Sequence, residues 1–87
     1  MSMPEISRFL GIIVAMLYRD HLQPHFHAIY GDYEVSIEIE TGVIQGQFPR
    51  QALRHVLDLY ELHREELIEN WRLAQDRKPL KRIAPLE

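Results

Sequence analysis

His25-Phe26-His27-Ala28-Ile29-Tyr30-Gly31-Asp32-Tyr33-Glu34-Val35-Ser36-Ile37-Glu38 is the stretch whose reading decides the fold. Two alternating runs flank Gly31-Asp32, a two-residue connection that favours a tight primed hairpin turn. With that turn fixed, Tyr30 faces Tyr33, Ala28 faces Val35 and Phe26 faces Ile37, so the apolar side chains gather on one side. The other side pairs His27 with Ser36 and His25 with Glu38, with Ile29 against Glu34 nearer the turn. Because side chains alternate with a period of two, a one-residue slip would bury these polar groups, and the register resists it.

Beyond this hairpin, Thr41-Gly42 reads as the turn of a second one, with Ile39 opposite Ile44, Ile37 opposite Gly46 and Val35 opposite Phe48. That register predicts two polar rows, His25-Glu38-Gln45 and His27-Ser36-Gln47. On the N-terminal side, Leu10 to Tyr18 is apolar on both alternating sets, as expected of a strand covered on both faces; a helix is the alternative there. Pro49 suits the first position of a helix, and no Gly or Pro follows between Arg50 and Asp76. Leu53, Val56, Leu57, Tyr60, Leu67, Trp71 and Ala74 then share one stripe at helical spacing.

The expected fold is α+β: an antiparallel meander sheet of about four strands with one long C-terminal helix packed on one face. Residues 1–87 form a single domain, with the sheet in 1–48, the helix in 49–77 and an extended basic tail in 78–87. Such a helix is on the order of 40 Å long and overshoots strands of roughly 20 to 27 Å. On its far side a second row, Leu59, Leu62 and Leu73 with His55, suits contact with a protein partner or a second copy, giving a homodimer.

With 46% hydrophobic and 26% charged residues, the 87-residue chain has the composition of an ordinary globular domain. The absence of cysteine excludes disulfides and thiolate zinc sites and fits a reducing cytoplasm, the expected location. Phe9 to Tyr18 is too short to span a bilayer, and its flank Arg19-Asp20-His21 lacks a signal-peptide cleavage site. Residues 1–48 carry a net charge of −4 and residues 49–87 a net charge of +1. This balance does not favour nonspecific nucleic-acid binding, which depends on neutralising phosphates.

The chemical signal is densest in Asp20-His21-Leu22-Gln23-Pro24-His25-Phe26-His27. Imidazole and carboxylate are ligands for divalent transition metals. His25 and His27 share a strand face, Glu38 stands opposite as a third ligand or an orienting carboxylate, and Asp20 and His21 lie in the adjoining loop. The same groups suit metal-free acid–base chemistry, with His25 and His27 as the proton-transfer pair of a small ribonuclease and Glu38 as orienter. That enzyme would need a cation near the phosphate, either Arg19 or the tail cluster Arg77, Lys78, Lys81 and Arg82. The plain alternative is a polar cross-strand ladder worth about 0.2 to 1 kcal/mol per pair. His63 lies beside the core stripe and reads as structural, and no HExxH zinc motif or Gly-rich phosphate loop occurs.

Pro4, Ile6-Ser7, Phe9, Gly11-Ile12, Asp20-His21, Pro24-His25-Phe26-His27, Tyr30, Glu40-Thr41-Gly42, Leu62-His63-Arg64 and Asn70-Trp71 together form a pattern spanning nearly the whole chain. In it the chain resembles the small bacterial proteins of the domain of unknown function 4160 family. Members of that family have no established activity, substrate or cofactor, and are often encoded beside another small protein. The resemblance therefore implies a small operon-encoded protein partner, by analogy with toxin–antitoxin pairs. Gln23 departs from the pattern, which usually has a second proline there, so the loop before His25 is expected to be less rigid.

Overall fold

The computed structural model describes residues 3–19 and 21–86. Its elements run β1 (Glu5–Phe9), β2 (Ile12–Ala15), β3 (His25–Tyr30), β4 (Tyr33–Glu38), β5 (Ile44–Gln47), α1 (Arg50–Leu62) and α2 (Arg64–Gln75). The strands form one antiparallel sheet in chain order. The class is α+β as expected, but among the described residues the sheet has five strands rather than about four and there are two helices rather than one.

All six predicted pairs of the β3–β4 hairpin are present, from His25 opposite Glu38 to Tyr30 opposite Tyr33. The strand expected over Leu10–Tyr18 is shorter, Ile12–Ala15, and an unexpected strand, Glu5–Phe9, precedes it. Leu10 (φ 51°) and Gly11 (φ 78°) make a two-residue turn, and Phe9 pairs with Ile12 across it. Positive φ at both central positions matches the right-handed twist of the flanking strands. The signal was Gly11, which breaks an otherwise continuous apolar run.

The second hairpin is displaced by two residues from the expected register: Val35 faces Gly46, Ser36 faces Gln45 and Ile37 faces Ile44. The connection is the five-residue loop Ile39–Val43, not a turn at Thr41-Gly42. Ile39 is fully buried, and its N–H donates to the Pro24 carbonyl at 2.9 Å. Its own carbonyl accepts from Tyr60 Oη at 2.6 Å and Arg64 Nε at 3.1 Å. The Ile39–Pro24 bond continues the β3–β4 register one rung past His25–Glu38. The loop is closed on the β5 side by bonds from the Glu38 N–H to the Val43 carbonyl at 2.9 Å and from the Gly42 N–H to the Glu38 carbonyl at 2.8 Å. Gly46 is matched to its new position, since a Cβ there would lie 2.4 Å from the Glu34 carbonyl oxygen. A shift of two preserves the side-chain alternation, so the polar face survives with different rows.

The expected 49–77 helix breaks at His63 (φ −120°, ψ 27°) without Gly or Pro. The cause is tertiary. Arg64 donates to the Ile39 and Glu40 carbonyls, tying the first turn of α2 to the β4–β5 loop. Further along α2, Trp71 meets His25 and the Ala74 carbonyl accepts from the Arg19 N–H. The loop after β4, the start of β3 and the loop after β2 all lie at one end of the sheet. Thus α2 runs along that end, while α1 packs on the face carrying Phe26, whose ring lies 6.1 Å from Tyr60.

The core joins Val14, Phe26, Ala28, Val35 and Ile37 of the sheet to Val56, Leu59, Leu67 and Trp71 of the helices. Leu59, expected in an outward row, is fully buried, whereas Leu62 is 68% exposed and Leu73 and His55 are half-buried. The four residues therefore do not form one surface row.

The tail over 78–86 has no helix or strand but is not detached. The buried Asn70 carboxamide donates to the Lys81 carbonyl at 2.9 Å and accepts from the Lys81 N–H at 2.8 Å. Ile83 is buried in the core, and its N–H donates to the Ile6 carbonyl of β1 at 2.8 Å.

Candidate functional site

Alternation along β3 buries Phe26 among the core side chains and sends His25 and His27 to the opposite sheet face. There they line a concavity of about 400 Å³, within the range of about 300 to 1,000 Å³ usual for ligand pockets. Ser36 and Gln45 extend the His27 row across β4 and β5, and Glu38 stands opposite His25. Leu17, Leu22 and Val43 supply apolar walls.

The two imidazoles meet edge to face, with centroids 5.0 Å apart and planes at 69°. His25 Nδ1 lies 2.7 Å from the Gln23 carbonyl and His27 Nδ1 lies 3.1 Å from Glu34 Oε2. A carbonyl and a carboxylate only accept, so both Nδ1 atoms carry a proton and donate. His25 is 7% exposed and packs 5.3 Å from the Trp71 ring; Nε2 of His27 is also buried.

Glu38 was the expected orienter, but its Oε1 accepts from Thr41 Oγ1 at 3.0 Å. The carboxylate that holds a histidine of this site is Glu34, which direct cross-strand opposition does not reveal. Glu34 is the diagonal neighbour of His27, two residues from Ser36 on β4, and diagonal cross-strand pairs lie within reach of long side chains. Trp71, on the core stripe of the helix, also packs beside His25 because α2 turns along the sheet end.

His21 is exposed in the loop before β3, and Asp20 lies outside the described residues. Among the described residues, no group of three His, Asp or Glu side chains is arranged to hold a metal ion. The cations proposed for phosphate are also elsewhere. Lys81 pairs with Glu69 at 2.9 Å and Arg82 with Glu5 at 3.1 Å, and among the described residues no Lys or Arg lines the concavity. Among the described residues, no helix is long and apolar enough to cross a membrane.

Sheet, helices and site define a small α+β domain with a histidine-lined concavity on the sheet face opposite α1. The family model described as "Domain of unknown function (DUF4160)" matches residues 11–72, and the chain belongs to that family. No curated protein and no solved structure matches it.

Proposed function

We propose that this chain is a protein-interaction module and that it presents the histidine-lined sheet face to a small protein encoded beside it, in the manner of a toxin–antitoxin pair. The observation that carries the reading is the mixed lining of the concavity, where Leu17, Leu22 and Val43 rim Ser36, Glu38 and Gln45. Apolar surface beside a few fixed polar groups is the composition of a recognition surface. A cation-free lining that holds a carboxylate opposes a phosphodiester substrate, which favours docking over the ribonuclease reading. The operon partner itself rests on analogy within the family.

Co-expression with the neighbouring gene product tests the proposal. Co-elution as one complex on size exclusion is expected, with Ser36→Arg, which plugs the concavity, weakening it at least about tenfold. A lone monomer at micromolar concentrations of both proteins overturns the reading, as does a complex that Ser36→Arg leaves unchanged.

A further inference from the structure

The docking reading leaves open what the concavity receives, and its chemistry is selective. We propose that it takes an arginine side chain presented by a basic segment of the partner, an inference that rests on the sheet face being the docking surface.

Three observations converge on a guanidinium. The first is charge: among the described residues, Glu38 is the one Asp or Glu lining the concavity, and no Lys or Arg opposes it. Glu34 adds a second carboxylate beside His27, and residues 1–48, which hold the entire sheet, carry a net −4. A field of this sign steers cationic groups inward and repels phosphate and carboxylate ligands.

The second is the placement of acceptors. Glu38 and Ser36 stand on β4, and Gln45 stands across the ladder on β5. The Glu38 carboxylate keeps acceptor capacity beyond its bond from Thr41. Acceptors spread over two strands call for a donor with several fixed N–H directions. Guanidinium supplies five in a planar fork, whereas ammonium is a compact, strongly hydrated point charge.

The third is the wall. Leu17, Leu22 and Val43 give apolar cover for a methylene stem, the usual setting in which arginine buries its chain and keeps its charged head on polar partners. The imidazoles of His25 and His27 complete the lining, packed edge to face against each other.

The test titrates the full isotope-labelled chain with N-acetyl-arginine N-methylamide and, in parallel, with its uncharged citrulline isostere, read by NMR. Saturable shifts are expected at the His25 and His27 rings and the Gln45 carboxamide, with Kd on the order of 1 mM for a lone side chain. Citrulline should bind at least about tenfold more weakly, a difference of one decade in affinity. Glu38→Gln and Gln45→Lys, the latter placing a tethered cation in the concavity, should each abolish the shifts while leaving the backbone spectrum native. Equal binding of citrulline, no saturable shift, or full binding by Glu38→Gln overturns the proposal.

Size exclusion with the neighbouring gene product separates this proposal from the docking reading. If the complex forms equally with wild type and Glu38→Gln, docking stands and the arginine is overturned. If arginine binds but no complex forms, the pocket chemistry is supported and the assigned partner is overturned.

Discussion

Asn70 carries more of the structure than its single position suggests. Its carboxamide pairs with both the N–H and the carbonyl of Lys81, as a neighbouring strand would. Replacing it with Ala leaves two backbone groups without their partners in a buried setting, at about 1 to 3 kcal/mol. Urea denaturation of Asn70→Ala should show that loss, and hydrogen exchange at Lys81 and Ile83 should accelerate by more than exchange in β3. Gly46 is a second sensitive position. Gly46→Ala should cost more than Gly31→Ala, although both have positive φ, because a Cβ at position 31 meets nothing within 4 Å. Left-handed strain alone accounts for about 1 to 2 kcal/mol, and at Gly46 the clash with the Glu34 carbonyl adds to it. Equal melting temperatures for the two variants would contradict this account.

Among the elements, the β3–β4 hairpin was legible because its turn chemistry and its two-residue alternation point to one register. The faces of β5 were legible for the same reason, although its register was not. Nothing local in Ile39-Glu40-Thr41-Gly42 shows that the Ile39 carbonyl will be held by Tyr60 and Arg64. The break at His63 was hidden for a related reason, since Arg50 to Asp76 is locally continuous and the bend is imposed by contacts far away in sequence. His25 and His27 could be assigned to a shared face from alternation alone; their hydrogen-bond partners, a loop carbonyl and a diagonal glutamate, depend on the folded geometry. Because Tyr60 and Arg64 share the Ile39 carbonyl, their removal should be non-additive. Each of Tyr60→Phe and Arg64→Ala should cost about 1 kcal/mol, and the double variant should exceed the sum by at least about 0.5 kcal/mol, the coupling expected of residues sharing a partner. Strict additivity in denaturant melts would show that the shared carbonyl does not couple them.

For the molecule as a whole, closure depends on the tail returning to β1. Ile83 is buried beside Ile6, and Arg82 reaches Glu5. Hydrogen bonds from Arg8 first and Arg82 second hold the Glu5 carboxyl below its ordinary value of 4.5. A lowered folded-state value means that Glu5 binds its proton more readily in the unfolded chain. Its contribution is therefore complete above about pH 4.5 and is lost as pH falls through the lowered folded value. The melting-temperature difference between wild type and Glu5→Gln should be constant near neutrality, shrink below pH 4.5 and diminish at high salt. A difference that grows on acidification would reverse the sign of this argument.

The contact between β1 and the tail also bears on how the chain can be rewired. Residues 5–6 and 82–83 lie side by side, so a Gly/Ser bridge between β1 and the tail need not cross the sheet. Exposed turns are the places where a backbone tolerates new termini, and Gly31-Asp32 is such a turn. A circular permutant opened there would begin with β4 and end with β3, yet retain every strand neighbour.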